Sequence, residues 1–347
     1  MSGVATDGVV VAAEGEQVPA GASPWALARR RLRRNKIAMV MAGVLAIIVV
    51  ACIAAPLYAH DVAHTNPFQS NLDGTTIVNG KRVSVMPPST TGLGLGSVPI
   101  GPTWDPQHYL LGADDQGRDV AARLLYGGRN SLLIGTAAAL ITCFFATAIG
   151  ILAGYFGGLL DGVLSRLLDV VWAFPVYLLA ISLSTVLLTR SFALGPLKIQ
   201  SGSLLLPILI IGVVYIPYVA RPIRGEVLSL RRREFVEAAE GLGASTWRVL
   251  WSDILRNVVT TAIVFFPLML AIDMLTEAAL SFLSIGVQPP DASWGTIILD
   301  GQGLLYTRPT VALAPGIAIA VTVLALNVLG DGVRDALDPR AKLRGVD

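Results

Sequence analysis

Six stretches of the chain are almost wholly apolar, each about twenty residues long or longer: 37–58, 130–156, 163–188, 204–221, 258–285 and 310–329. The hydrocarbon core of a bilayer is about 30 Å thick and a helix rises about 1.5 Å per residue, so runs of this length predict membrane-spanning helices. The polar connections differ in character. Residues 1–36 form a tail that ends in Arg29, Arg30, Arg31, Arg33, Arg34 and Lys36, directly against the first apolar run. Basic residues are retained on the cytoplasmic side, which puts the amino terminus there, and six crossings return the tail 331–347 to the same side. With that orientation Lys and Arg divide into about 18 cytoplasmic and about 8 external, the bias expected. The first run starts only at Ile37 and lacks a small-residue cleavage site, so it reads as a retained span, not a signal peptide. The pattern thus predicts an all-α polytopic membrane protein: a tail, a first span at 37–58, an external segment at 59–129 and a five-helix core at 130–330.

Within the external segment, Thr75 to Val78 and Lys81 to Val85 flank Asn79-Gly80. Asn-Gly suits a type I′ turn between β-branched strands, so a small β-hairpin insertion is expected. The Pro- and Gly-rich stretch 86–106 reads as loop. In the block LLGADDQGRDVAARLLYGGRNSL (110–132), Val120, Leu124 and Leu125 fall on one helical face and Arg123 near the other, the pattern of an interfacial helix.

The spans carry two kinds of special position. Gly150, Gly154 and Gly158 recur every four residues and predict a groove on one helix face into which a neighbouring helix packs. Asp169, Asp273 and Glu277 are carboxylates inside apolar runs. Each costs about 2.5–3.5 kcal/mol at mid-bilayer on insertion scales, so they are expected to face other helices or a watery path, with Asp169 close to the cytoplasmic end. Asp331 and Asp335 flank Arg334 after the last span, where local salt bridges or helix capping account for them.

One long charged stretch breaks the apolar second half: RRREFVEAAEGLGASTWRVLWSDILRN, 231–257. Its pattern predicts a short helix over about 234–240, a break at 241–243, a left-handed turn at Gly243 and a second helix capped by Ser245 or Thr246. Glu237, Ala238, Ala239, Gly241 and Gly243 carry the spacing of the Glu-Ala-Ala loop of permease subunits of bacterial ATP-binding-cassette importers, which this stretch resembles. One departure is Arg256, where members of that family often carry Pro. Three further blocks, 110–132, TEAALSFLSIGVQPPDASWG (276–295) and LNVLGDGVRDALDPR (326–340), resemble signature segments of C-type subunits of the dipeptide/oligopeptide/nickel importer family. The Pro289-Pro290 pair is expected to end a helix in a rigid external loop and Trp294 to sit at the membrane interface.

The resemblance covers about 110–340 and implies the six-helix fold of type I importer permeases, with the loop around Glu237–Ser245 acting as a coupling helix that docks in a groove of an ATPase. It also implies partners: a second homologous permease subunit, two cytoplasmic ATPase subunits or domains that bind ATP and Mg, and an external solute-binding protein. The location it implies is the bacterial plasma membrane. Its substrates would be di- or oligopeptides; nickel chelates and other small solutes are handled by similar permeases.

Composition agrees and removes other classes. Charged residues are only 14% against 54% hydrophobic, and a net charge of +2 argues against nucleic acid as a partner. Both cysteines, Cys52 and Cys143, lie in apolar runs, so no disulfide framework is expected. No Walker A loop exists, because Arg82 follows Lys81 where Ser or Thr would hold magnesium. His60, His64 and His108 are the only imidazoles, and His60 and His64, four apart with Asp61 between, make a poor metal site. No catalytic motif, bound cofactor or metal is expected of this chain. Two rivals remain: an ion-coupled secondary transporter or channel using Asp169, Asp273 and Glu277, with Pro175, Pro207 and Pro217 as possible helix breaks, and a membrane anchor with no path.

Overall fold

The computed structural model describes residues 24–78, 80–89, 96–188, 192–194, 197–199 and 203–337. The expectations for the tail before residue 24, for Asn79, for part of the Pro- and Gly-rich loop and for residues after 337 lie outside them. Helix α1 (Pro24–Arg34) carries the basic cluster. Asn35 then caps α2 (Lys36–Ile53), its side chain accepting from the Ala38 amide at 3.1 Å. A single turn, α3 (Ala55–Leu57), and a π-turn (Tyr58–Val62) follow. The turn ends before His64, which has φ +50°, so His60 and His64 do not share a helix face and His60 meets Asp61 instead.

Strands β1 (Thr75–Val78) and β2 (Lys81–Ser84) pair antiparallel with Val78 opposite Lys81, which leaves a two-residue connection, and Gly80 has the φ of +76° that such a turn requires. Helix α4 (Val120–Phe156) then runs without a break for 37 residues. The expected interfacial helix is therefore the first part of this long helix. Arg123 is not on an open polar face either: it is buried, with 2% exposure, and pairs with the carboxylates of Asp114 and Asp300.

Helices α5 (Gly158–Ala173) and α6 (Val176–Leu188) replace the expected third span and meet at 88°. Pro175 is the cause: it has no amide to continue the ladder, and Phe174 before it is pushed to extended backbone, φ −87° and ψ 136°. Strands β3 (Phe192–Leu194) and β4 (Leu197–Ile199) pair beyond α6. The fourth apolar run is likewise two helices, α7 (Leu205–Val214) and α8 (Ile216–Leu230), bent by 40° at Tyr215 with Pro217 in the first turn of α8, and α8 continues nine residues past the expected end at 221.

After α8 come α9 (Glu234–Gly241), the short α10 (Thr246–Arg248), a second π-turn (Val249–Ile254) and α11 (Leu255–Phe282). Helix α11 ends well before Pro289, so the proline pair lies in the connection and does not terminate it. Helix α12 (Trp294–Gln302) is short and begins with a reciprocal capping box between Ser293 and Thr296. Helix α13 (Thr310–Leu337) closes the described chain, eight residues longer than the expected span.

Four helices are long and apolar enough to cross a membrane, and six spans result if each bent pair is counted as one. Helix α4 is the axis. Helices α7, α8 and α11 pack along it, α13 packs on α11, and α2 with α1 lies outside against α13. The apolar residues α2 leaves open, among them Ile37, Ile47, Val50 and Ile53, form a face suited to hydrocarbon. Gly150 and Gly154 let α8 approach: a Cβ on Gly150 would lie 2.6 Å from Ile223, and one on Gly154 2.7 Å from Val227. Gly158 is not part of this groove. Helix α4 has already ended at Gly157 (φ +64°), and Gly158 (φ +56°) opens α5 with no heavy atom near its missing side chain.

Candidate functional site

The loop between α8 and α11 is built as two short helices about a glycine turn. Helix α9 ends at Gly241; Gly243 has φ +81°, a conformation that a side chain resists; and Ser245 caps α10, accepting from the Arg248 amide at 3.4 Å. Two contacts fasten α9 to the bundle. Val236 is fully buried, and the Tyr155 hydroxyl at the end of α4 donates to Glu240 Oε1 at 2.8 Å. Glu237, Ala238 and Gly241 stand exposed, whereas Ala239 is half-buried against the core and is not part of the open face.

The open side of this loop carries large apolar groups among its charges. Leu242 is 89% exposed, Trp247 68%, Trp251 67% and Phe235 46%. These four were not singled out from the sequence. The spacing of Trp247 and Trp251, four residues apart at the start of a helix, was the available signal. Large aromatic groups held in the open by a rigid turn, with Arg231, Arg232, Arg233 and Arg248 exposed around them, have the composition of an interaction patch.

The three carboxylates expected within the spans have different surroundings. Asp169, on α5, is exposed and pairs with Arg221 of α8 at 2.9 Å, while Arg221 also lies over the Trp172 ring. Asp161, eight residues earlier, accepts from both Arg224 Nε and Nη2, so two ion pairs clip α5 to α8. Glu277 is fully buried and accepts from Ser131 of α4 at 2.8 Å and from Ser281 at 2.6 Å. Ser131 Oγ in turn accepts from the Trp294 amide, and Ser281 Oγ from the Val287 amide. Glu277 therefore ties together α4, α11, the connection after it and α12. One turn earlier, Asp273 is also fully buried, but neither of its carboxylate oxygens has a hydrogen-bond partner among the described residues. Between the two, the Tyr215 hydroxyl at the α7–α8 bend meets Thr276 Oγ1 at 2.8 Å.

At the opposite end of the bundle α12 is locked to the external segment. Trp294 is buried against Gly128 instead of standing open as an interfacial anchor does, and its Nε1 donates to the Leu124 carbonyl at 2.9 Å. Asp114, Asp115 and Asp300 gather their carboxylates within 4.8 Å of one another, with Arg118 and Arg123 among them. Arg118 Nε donates to Asp114 at 2.7 Å and its Nη2 to Asp300 at 2.9 Å; Arg123 Nη2 donates to Asp300 at 2.8 Å. Two guanidinium groups thus supply the positive charge that a metal ion would otherwise bring. Burial holds the Asp300 carboxyl above the ordinary carboxylate range, with Arg123 and Arg118 drawing it back. Burial also raises Asp115 and Asp119, the latter the cap of α4. Asp331 and Arg334 form no ion pair with each other or with Asp335 among the described residues, so the local bridges expected there are not made.

Comparison with known proteins agrees with this architecture. Residues 146–343 match the family described as binding-protein-dependent transport system inner membrane component, and residues 23–73 match the N-terminal TM domain of oligopeptide transport permease C. The chain is 34% identical to the dipeptide transport system permease protein DppC of Alkalihalophilus pseudofirmus over 92% of its own length and 91% of the relative's. It is 36% identical to a putative peptide transport system permease protein of Brucella abortus, covering 94% and 95%. To the glutathione transport system permease protein GsiD of Pectobacterium atrosepticum it is 37% identical, covering 67% and 73%. Among solved structures it resembles an inward-facing conformation of the MetNI methionine ABC transporter, with a TM-score of 0.50 at 17% identity, over 62% of this chain and 96% of that one.

Proposed function

The chain belongs to the family of binding-protein-dependent transport system inner membrane components, and from that premise we propose that it is one of two membrane-spanning subunits of an ATP-driven importer for di- or oligopeptides. The relatives named for peptide and dipeptide transport match over nearly their whole length, and that is the observation that carries the substrate class. In this reading each bent helix pair counts as one span, six in all, with both termini in the cytoplasm and the hairpin of β1 and β2 outside. An external solute-binding protein delivers the peptide, and a second homologous permease completes the path.

Energy enters at the loop between α8 and α11. Two cytoplasmic ATPase subunits, which bind ATP and Mg, take α9 and the exposed Leu242, Trp247 and Trp251 into a surface cleft. The apolar patch supports this, since side chains of that size left open on the cytoplasmic side call for a partner. The Tyr155–Glu240 hydrogen bond then carries a push on α9 into α4, the axis of the bundle, while Val236 and Ala239 seat α9 on the core. ATP-driven closure tilts the helices as rigid bodies between inward-open and outward-open states. The ion-coupled alternative draws less support, because Asp169 is already paired with Arg221 and Glu277 is held by two serines.

The test is purification of the tagged chain in mild detergent from its own membranes, with and without Gly243→Glu. An ATPase and a second permease are expected with the wild type, and the ATPase is expected to be lost from the variant while the permease stays. Absence of any ATPase even after cross-linking would overturn the reading.

A further inference from the structure

Helices α8, α11 and α13 part at the end of the bundle where the α9 loop emerges and leave a groove of about 950 Å³. Glu226 of α8, Asn257 and Thr261 of α11, and Asn327, Asp331 and Arg334 of α13 supply its polar wall. Phe265 and Leu268 add an apolar wall, and Gly330, also in the lining, packs on Pro267, where a Cβ would come within 3.2 Å of the proline. The volume lies at the upper end of the usual range for small-molecule sites.

The charges of this groove are unspent. Glu226, Asp331 and Arg334 make no ion pair among the described residues, although Asp331 and Arg334 stand three apart on α13, a spacing at which a pair readily forms. Two carboxylates and a guanidinium with amide and hydroxyl groups between them are costly against hydrocarbon, so this face borders water. The set has the complement of a zwitterion. An ammonium finds Glu226 and Asp331, a carboxylate finds the fork of Arg334, backbone amides of a peptide find Asn257 and Asn327, and side chains find Phe265 and Leu268.

We propose that this groove is an exit-side binding site for the transported solute, selective for small molecules that carry both a free ammonium and a free carboxylate. The substrate class rests on the importer reading above. Occupation is weak and transient, since a site that released slowly would stall transport.

The experiment uses the purified complex with its partners, carrying Cys52→Ala and Cys143→Ala so that Thr261→Cys is the only reactive thiol of this chain. The rate of maleimide labelling at position 261 is followed by mass spectrometry with millimolar dialanine or trialanine, and with N-acetyl-dialanine amide, which has neither charge. The free peptides are expected to slow labelling at least threefold and the blocked one to leave it unchanged. Arg334→Gln or Glu226→Gln is expected to abolish the protection while size-exclusion profiles stay unaltered. Protection by neither free peptide, or equal protection by the blocked one, overturns the proposal. ATP-driven dipeptide uptake by the same complex in proteoliposomes is measured separately. Uptake without protection removes the groove and leaves the importer reading standing, whereas protection without uptake supports the groove and removes the importer reading.

Discussion

Arg123→Met tests whether the buried charge network holds the external segment to α12. Methionine keeps the length and much of the volume of the arginine stem but carries no charge, so packing changes little and electrostatics change fully. The guanidinium donates to Asp300 at 2.8 Å and to the Pro67 carbonyl at 3.1 Å, and its Nε lies 3.2 Å from Asp114 Oδ2, an ion-pair contact without hydrogen-bond geometry. With Arg123 gone, three carboxylates share Arg118 alone. Removing one partner of a buried ion pair costs about 3–5 kcal/mol. Arg118 remains and the Asp300 side chain is 22% exposed, so the low end applies and a loss of about 3 kcal/mol is expected. The assay is a double-mutant cycle of Arg123→Met and Asp300→Asn, read by thermal unfolding in detergent and by protease cleavage of the external segment. A coupling energy of about 1.5–3 kcal/mol, the range of a hydrogen bond between charged groups, is expected. Coupling below about 0.5 kcal/mol, with either single variant as stable as wild type, would refute the reasoning.

Other consequences can be checked independently. Gly154→Ala places a methyl 2.7 Å from Val227 and 2.9 Å from the Arg224 carbonyl, so α8 must shift, and about 1–3 kcal/mol of stability should be lost in thermal unfolding. Gly162→Ala, on α5 with nothing within 4 Å, should instead be neutral or gain up to about 1 kcal/mol. Asp273→Leu removes a carboxylate with no partner among the described residues and should raise stability by about 1–3 kcal/mol; a fall of the same size in the melting assay would mean that Asp273 is satisfied in the assembled protein. The external segment should also respond to pH. Asp115, Asp119 and Asp300 all hold their protons more tightly folded than unfolded, so the folded state binds more protons and its stability falls as pH rises from about 4. Hydrogen exchange of 110–120, corrected for its intrinsic pH dependence, should show greater protection below that range than above it, and the reverse order would count against the burial of these groups.

The apolar runs alone located every long helix, because in a membrane the requirement is simple: enough consecutive apolar residues to cross, with every backbone group bonded within its own segment. The pairing of β1 with β2 and the short helices α9 and α10 rest on local backbone rules: Gly80 and Gly243 at positive φ, and Ser245 at a helix start. Their residue bounds needed only small adjustment. Pro175 was visible as a possible break, but a proline sets only that a ladder is interrupted. The 88° between α5 and α6 depends on what each half packs against, including the clips from Asp161 and Asp169 to α8.

Long-range pairing was not legible at all. Arg123 read as part of the polar side of an interfacial helix because helical periodicity knows only its own helix, whereas Asp300, far along the chain, is what makes its burial tolerable. Trp294 read as an interfacial anchor for the same reason, until Gly128 of α4 opened a slot for it. Gly158 continued a four-residue pattern on paper that α4 had already left at Gly157. The distinction between Asp273, alone, and Glu277, held by two serines, also arises only where α4 and α11 come together. What the amino-acid order determined unaided was the class of protein, where its long apolar helices lie and its local turns, all of them set by neighbours within a few residues. Which buried charge is paired, which tryptophan is open and which helix end borders a groove was decided by contacts between helices distant in sequence, and those energies exist only once the bundle has closed.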